Sequence, residues 1–309
     1  MKKLLFILLL AWMVGCEMDA KNVKVPQAQS KLVVTGFISP QDTVIQVQVT
    51  QSSPIYGATQ SSSQSIQPNI IDATVVLSDG VTSVQLHYEP TKNDPSFPSK
   101  QTGNYVISAA NLAVLPGKSY FLTVRTPDGR EVKAACTVPL QVNDAITTLL
   151  DSSDVANNPN YPNPYPRKEY TLTVDWQDTP GEGDYYRIFA EIPLYQSQVP
   201  GTGTKSTIYA PINFEQAEEF FKDEGNDGGK FIVKSTRFSQ SHVPGTTKAE
   251  RKVNVYLLTT DKNYYQYHRN LSNNSEDNPF AEPTLVFSNI EGGLGVFAAY
   301  QRTTREIRY

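Results

Sequence analysis

Three histidines, two groups of carboxylates and 17 tyrosines are the residues of this 309-residue chain whose types could do chemistry. His87, His242 and His268 lie far apart. None has a partner at the close spacing of H-E-x-x-H or C-x-x-C with which a zinc site announces itself. No G-x-S-x-G elbow and no phosphate-cradling glycine loop occurs. The stretch DEGNDGGK gathers Asp223, Glu224, Asn226 and Asp227 among glycines. Hard oxygen ligands on such a loop can hold Ca²⁺, but the spacing is not the EF-hand series and its terminal bidentate Glu is missing, so the stretch reads as a solvated acidic turn. Asp175, Asp178, Glu182 and Asp184 offer carboxylates of the kind a glycosidase pairs across a cleft. Flanking a strand, a turn and a second strand, they are expected to be exposed. Tyr161, Tyr165 and Tyr170, with Trp176 nearby, could stack on sugar rings, although the strand position of Trp176 favours the core. No catalytic residue, metal ligand or cofactor is expected. Tyr161 and Tyr165 stand as ligand candidates.

The other reactive residue is Cys16. Lys2 and Lys3 precede an apolar run from Leu4 to Val14, and Gly15 supplies the small residue before a cleavage point. That is the plan of a secretory signal peptide. The run is well short of the roughly 20 residues that cross a bilayer. Met13-Val14-Gly15-Cys16 resembles a bacterial lipobox, in which the cysteine thiol is acylated and becomes the first residue of the mature chain. Several acyl chains on one cysteine give stable anchoring where a single chain gives marginal binding. Glu17 and Asp19 follow at once, and similar acidic residues behind the lipidated cysteine resemble the signal that exports lipoproteins of Bacteroidota to the outer face of the outer membrane. Residues 20–30 are polar, contain Pro26 and read as a tether.

Loss of Lys2 and Lys3 with the leader takes the formal charge from −4 to −6. A mildly acidic chain lacks the basic face that nucleic acid requires, and polybasic docking to lipid is unsupported as well. With Cys16 acylated, Cys136 has no disulfide partner; it sits in the alternating run REVKAACTVPL and is expected as a small buried strand residue.

The elements that must position these residues are mostly strands. TVIQVQVTQS alternates strictly, with Ile45, Val47 and Val49 on one face. Asp79-Gly80 joins two strands as a hairpin. Leu115-Pro116-Gly117-x-x-Tyr120 resembles the turn before a late strand in immunoglobulin-like sandwiches, whose tyrosine hydroxyl bonds back to the turn. Residues 31–140 therefore predict an immunoglobulin or fibronectin-III-like β-sandwich. Residues 141–309 predict a second β-rich, sandwich-like domain with one or two short helices. FEQAEEFFKDEG has near-helical spacing, and DKNYYQYHRNLS runs as a helix behind an Asp261 N-cap, with Tyr264, Tyr265, His268 and Leu271 on one face. Ser52–Asn69 and Asp151–Lys168 read as long loops.

The segment NPFAEPTLVFSNIEGGLGVFAAY, residues 278–300, looks like the C-terminal signature of the DUF4249 lipoproteins of Bacteroidota. Its pieces are Asn278-Pro279-Phe280, Glu282-Pro283, Ser288-Asn289-Ile290 and Gly293-Leu294-Gly295-Val296-Phe297. The lipobox, DYYRI and the tyrosine-rich helix agree with it, so the resemblance spans nearly the whole chain. It implies an outer-membrane lipoprotein of unassigned activity, commonly encoded beside TonB-dependent receptors, and it carries no catalytic residues over. The expectation is a non-enzymatic surface lipoprotein, anchored through Cys16, that binds substrate for or caps a TonB-dependent barrel. The alternative is a stand-alone glycan-binding sandwich. Within the signature, Gly292 and Gly293 permit a tight turn and Gly295 leaves room for a close backbone or ring. A partner contact through Asn289, Gly292 and Gly293 is the functional alternative to that structural role.

Overall fold

Period-two alternation, in which successive side chains face opposite sides of a strand, sets the architecture. The computed structural model describes residues 30–52, 69–90, 103–140, 146–155, 168–181, 183–198, 205–215, 219–239, 247–248, 250–273 and 286–309. Seven strands come first: β1 (Leu32–Ile38), β2 (Val44–Gln51), β3 (Thr74–Ser78), β4 (Ser83–Pro90), β5 (Gly103–Ser108), β6 (Ser119–Arg125) and β7 (Glu131–Thr137). Then follow β8 (Thr147–Asp154), β9 (Lys168–Gln177), β10 (Tyr185–Gln198), β11 (Lys205–Ile212), β12 (Phe220–Lys222), β13 (Lys230–Lys234) and β14 (Thr247–Lys248). The chain closes with β15 (Lys252–Thr260), α1 (Lys262–Asn273) and β16 (Leu294–Arg308). The protein is all-β and sandwich-like, with one helix among the described residues, as its sequence predicts.

In the first seven strands, β1, β2 and β5 pair in one sheet and β3, β6 and β7 in another. Strand β4 belongs to both: Ser83–Leu86 pair with β3, and His87–Pro90 pair with β5. This is the strand arrangement of an immunoglobulin-like sandwich. Ile45, Val47 and Val49 point inward while Val44, Gln46 and Gln48 point out. They meet Val75, Leu77, Leu122, Val124 and Cys136 from the facing sheet in one core. Each such buried aliphatic side chain contributes roughly 1.5–3 kcal/mol. The Tyr120 hydroxyl accepts from the Leu115 N–H at 2.8 Å and donates to the Ala113 carbonyl at 2.7 Å, so the tyrosine corner forms.

A second core lies between the three-stranded sheet β13-β9-β8 and the strands β11, β10 and β15. Leu172, Val174 and Trp176 of β9 face Tyr186, Ile188 and Ala190 of β10. Trp176 is 1 % exposed and stacks on Phe231 at 5.1 Å.

Strand β16 joins the two cores. Its first half pairs in parallel with β1, Val33 opposite Leu294 through Ile38 opposite Ala299. Its second half pairs antiparallel with β15, Thr260 opposite Tyr300 through Lys252 opposite Arg308. Phe297 and Ala299 consequently fill the first core. Val296 and Ala298 face the other way, toward α1. The resulting sheet runs continuously from β11 to β7.

The helical spacing of FEQAEEFFKDEG does not become a helix in the described part of that stretch. Phe214 forms a bridge with Ser235, and Phe220–Lys222 pair with Tyr185–Arg187 of β10. Phe220 packs beneath α1 while Phe221 meets Trp176, so adjacent aromatics serve opposite faces, as a strand requires and a helix forbids.

Candidate ligand cleft

The outward face of β10 carries Tyr185, Arg187 and Phe189, whose neighbours Tyr186, Ile188 and Ala190 are committed to the second core. Helix α1 lies over this face. Its start is fixed by Asp261, whose carboxylate accepts the Tyr264 N–H at 2.8 Å and the Ala299 N–H of β16 at 3.2 Å. Burial pushes that carboxyl up to about 7 against the pull of these donors. The Asn263 amide donates to the Ala135 carbonyl at 3.2 Å, tying the same turn to β7. The helix thus presents Tyr264, Tyr265 and His268 to the sheet.

Arg187 is the charged centre of the contact. It donates to the Tyr264 hydroxyl at 3.0 Å and pairs with the Glu219 carboxylate at 3.2 Å. The guanidinium stands 5.0 Å from the Phe220 ring centroid and 5.7 Å from that of Phe189, within cation–π range. Its Nε is buried with no hydrogen-bond partner among the described residues. His268 stacks on Phe37 at 5.1 Å and lies 4.3 Å from the Tyr264 ring. Burial, then the charge of Arg187, holds its pKa down to about 4, so the imidazole is neutral at physiological pH.

Beside this cluster opens a cleft of about 490 Å³. It is lined by the continuous sheet face β10-β15-β16-β1-β2-β5 and by α1. Gln46, Gln48 and Asn104 line it together with Arg187, Tyr264 and Arg302. A smaller cavity of about 340 Å³ lies on the far side of Arg187 and His268, against Glu219 and Leu271. The volume of the larger cleft is that of an ordinary small-molecule site.

The carboxylates form a separate constellation. Asp178, Asp223 and Asp227 place oxygens within 4.8 Å of one another. The two stretches are clasped by backbone donors: Gly228 N–H to Asp178 at 2.8 Å, Gly183 N–H to Asp223 at 2.8 Å and Gly181 N–H to Asp227 at 2.7 Å. The Tyr186 hydroxyl also bonds Asp178. These three oxygens could hold a cation. Asp178 and Asp223 are only 2 % and 4 % exposed, so the stretch read as a solvated acidic turn is partly buried, and two acidic segments read separately converge. Burial, with Asp178 and Asp223 close by, pushes Asp184 up to about 6. Asp175 stands apart, paired with Lys230 at 2.8 Å.

Asn289, Gly292 and Gly293 are absorbed into the framework. The Asn289 amide bonds the Phe297 backbone, Gly292 takes a φ of +81°, and a side chain on Gly293 would meet the Leu32 carbonyl at 2.8 Å. His87 is exposed and pairs with Glu89 at 2.9 Å. Cys136 is free and buried. Cys16, Tyr161, Tyr165, Glu182, His242 and the Asn278–Pro283 part of the signature lie outside the described residues. Sequence reasoning missed Arg187, Asp42 and Arg302 as cleft residues; the only advance signal was a charged residue in the otherwise aromatic outward row Tyr185, Arg187, Phe189.

No curated protein matches the chain. The family model described as "Domain of unknown function (DUF4249)" matches residues 20–306, taking in the helix and every strand but the last two residues of β16. The chain therefore belongs to the DUF4249 family.

Proposed function

We propose that this protein is a lipid-anchored, non-enzymatic binding protein of the bacterial outer-membrane surface, serving as an accessory to a TonB-dependent transporter and holding ligand in the cleft beside α1. The observation that carries the reading is the cleft of about 490 Å³, whose walls combine aromatic faces, side-chain amides and two arginines. Such a mixture of apolar faces and a few fixed polar groups is what small-molecule recognition uses. The lipobox-like Met13–Cys16 supports anchoring, and residues 20–30 supply a tether long enough to hold the sandwich off the bilayer.

The test is purification of the native protein from its own envelope in mild detergent. Mass spectrometry of the processed terminus is expected to find an acylated Cys16, and the eluate to contain an outer-membrane barrel. Cys16→Ala should move the protein to the soluble fraction and abolish co-purification. An unmodified thiol on a molecule freely secreted to the medium, or an eluate without a barrel, overturns the proposal.

A further inference from the structure

Arg187 and Arg302 stand in one row of the large sheet. Arg187 of β10 is opposite Leu258 of β15, and Leu258 is opposite Arg302 of β16. Directly opposed residues share a face, so both arginines rise on the α1 side with Leu258 between them, their Cα atoms about 10 Å apart at two strand spacings. Both line the larger cleft.

The two arginines differ in how far they are already engaged. Arg302 makes no side-chain hydrogen bond or ion pair among the described residues, its backbone N–H alone being bonded, to Gln41 at 3.3 Å. Asp42 is the one carboxylate in the lining; it accepts from the Tyr300 hydroxyl at 3.4 Å and feels the charge of Arg302. Glu219, the partner of Arg187, lines the smaller cavity instead. Arg187 is already paired with Glu219, so the Arg302 guanidinium, with Asp42 alone near it, is the group left open toward a space also lined by the amides of Gln46, Gln48 and Asn104. A guanidinium offers fixed pairs of N–H groups that match a carboxylate, side-chain amides offer both donor and acceptor to hydroxyls, and aromatic walls suit the apolar faces of a ring.

Resting on the proposal that the cleft is the ligand site of this protein, we infer that it takes an acidic saccharide of about disaccharide size, with carboxylates directed to Arg187 and Arg302 and sugar rings against the aromatic wall. A purely apolar anion would leave the amide wall unpaired. A neutral sugar would leave the Arg302 guanidinium without an anionic partner.

The experiment is calorimetric titration of the full mature protein with digalacturonate and with galactobiose, its uncharged counterpart, at low ionic strength. Digalacturonate is expected to bind at least about tenfold more tightly than galactobiose and to weaken with added salt. Arg302→Gln, at an exposed position, should cost about tenfold in digalacturonate affinity with unchanged circular dichroism. Arg187→Lys keeps the charge but loses the fork, and should weaken binding further. Equal affinity for the two sugars overturns the charge reading while leaving the cleft as the ligand site. Digalacturonate affinity indifferent to both variants places the sugar elsewhere and removes the cleft from the proposed function too. Binding of neither sugar overturns the saccharide inference and leaves the envelope proposal to its own test.

Discussion

The side-chain amide of Asn289 pairs with the Phe297 peptide as a neighbouring strand would. Phe297 N–H donates to Asn289 Oδ1 at 2.9 Å, and Asn289 Nδ2 donates to the Phe297 carbonyl at 2.7 Å. A third bond, from the same Nδ2 to the Ala135 carbonyl at 3.1 Å, reaches β7. One side chain thus closes the edge of β16 that β1 leaves open and links it to the facing sheet. Asn289→Ala strips both Phe297 groups of their partner and should destabilise the fold by about 2 kcal/mol or more. Asn289→Asp keeps the shape but cannot donate, and should recover little. Urea unfolding followed by far-ultraviolet circular dichroism measures both. A loss within a few tenths of a kcal/mol for Ala would remove the strand-mimic role.

Gly295 of β16 stands opposite Val34 of β1. Its φ is +105°, and a Cβ there would overlap the Val34 carbonyl oxygen. Neither strain has a flexible side chain to absorb it, because the obstruction is backbone. Gly295→Ala should therefore cost about 3 kcal/mol or more, a large fraction of the stability of an ordinary domain. Soluble, folded Gly295→Ala protein with near wild-type urea resistance would contradict the close approach of the two strands.

The tyrosine corner makes a milder case. Tyr120 is fully buried and its hydroxyl bridges Leu115 and Ala113. Tyr120→Phe preserves the ring packing and removes only the bridge, leaving one N–H and one carbonyl to find water. A loss of about 1–3 kcal/mol is expected, with the same circular dichroism spectrum. An unchanged urea midpoint would mean that the turn reorganises at no cost.

These framework features are legible in the sequence because each is local. The alternation of Ile45, Val47 and Val49, the Leu115-to-Tyr120 turn, the glycine inside the last strand and the Asp261 cap all declare themselves within a few residues. The cleft is not legible for the opposite reason. Its arginines are 115 positions apart in sequence and become neighbours only through the register of β10, β15 and β16. The convergence of Asp178 with Asp223 and Asp227 is equally non-local. The near-helical spacing of Phe214, Ala217, Phe220 and Phe221 misleads for the same reason: tertiary pairing with β10 decides the backbone of Phe220–Lys222 and overrides the local pattern.

Two half-buried titratable groups should tilt stability with pH in opposite directions. Asp184 has its carboxyl raised from 3.8 to about 6 by burial and then by Asp178 and Asp223, so the folded chain binds its proton more tightly than the unfolded chain does. Its contribution therefore falls as pH rises from about 4 to about 6 and is flat beyond. His268 has its pKa lowered from 6.5 to about 4 by burial and by Arg187, so the unfolded chain binds that proton more tightly. Its contribution is complete above 6.5 and is lost as pH falls toward 4. In the wild-type protein the two slopes oppose each other across the same window. Urea unfolding of wild type, Asp184→Asn and His268→Gln at several pH values separates them, because taking the difference from wild type cancels Asp261 and Asp42, which all three proteins share. The Asp184→Asn difference should grow in favour of the variant as pH rises to about 6, and the His268→Gln difference in favour of the variant as pH falls below about 6.5. Difference curves flat with pH would mean that these groups titrate alike in the folded and unfolded chain, and would remove burial as the cause assigned to each.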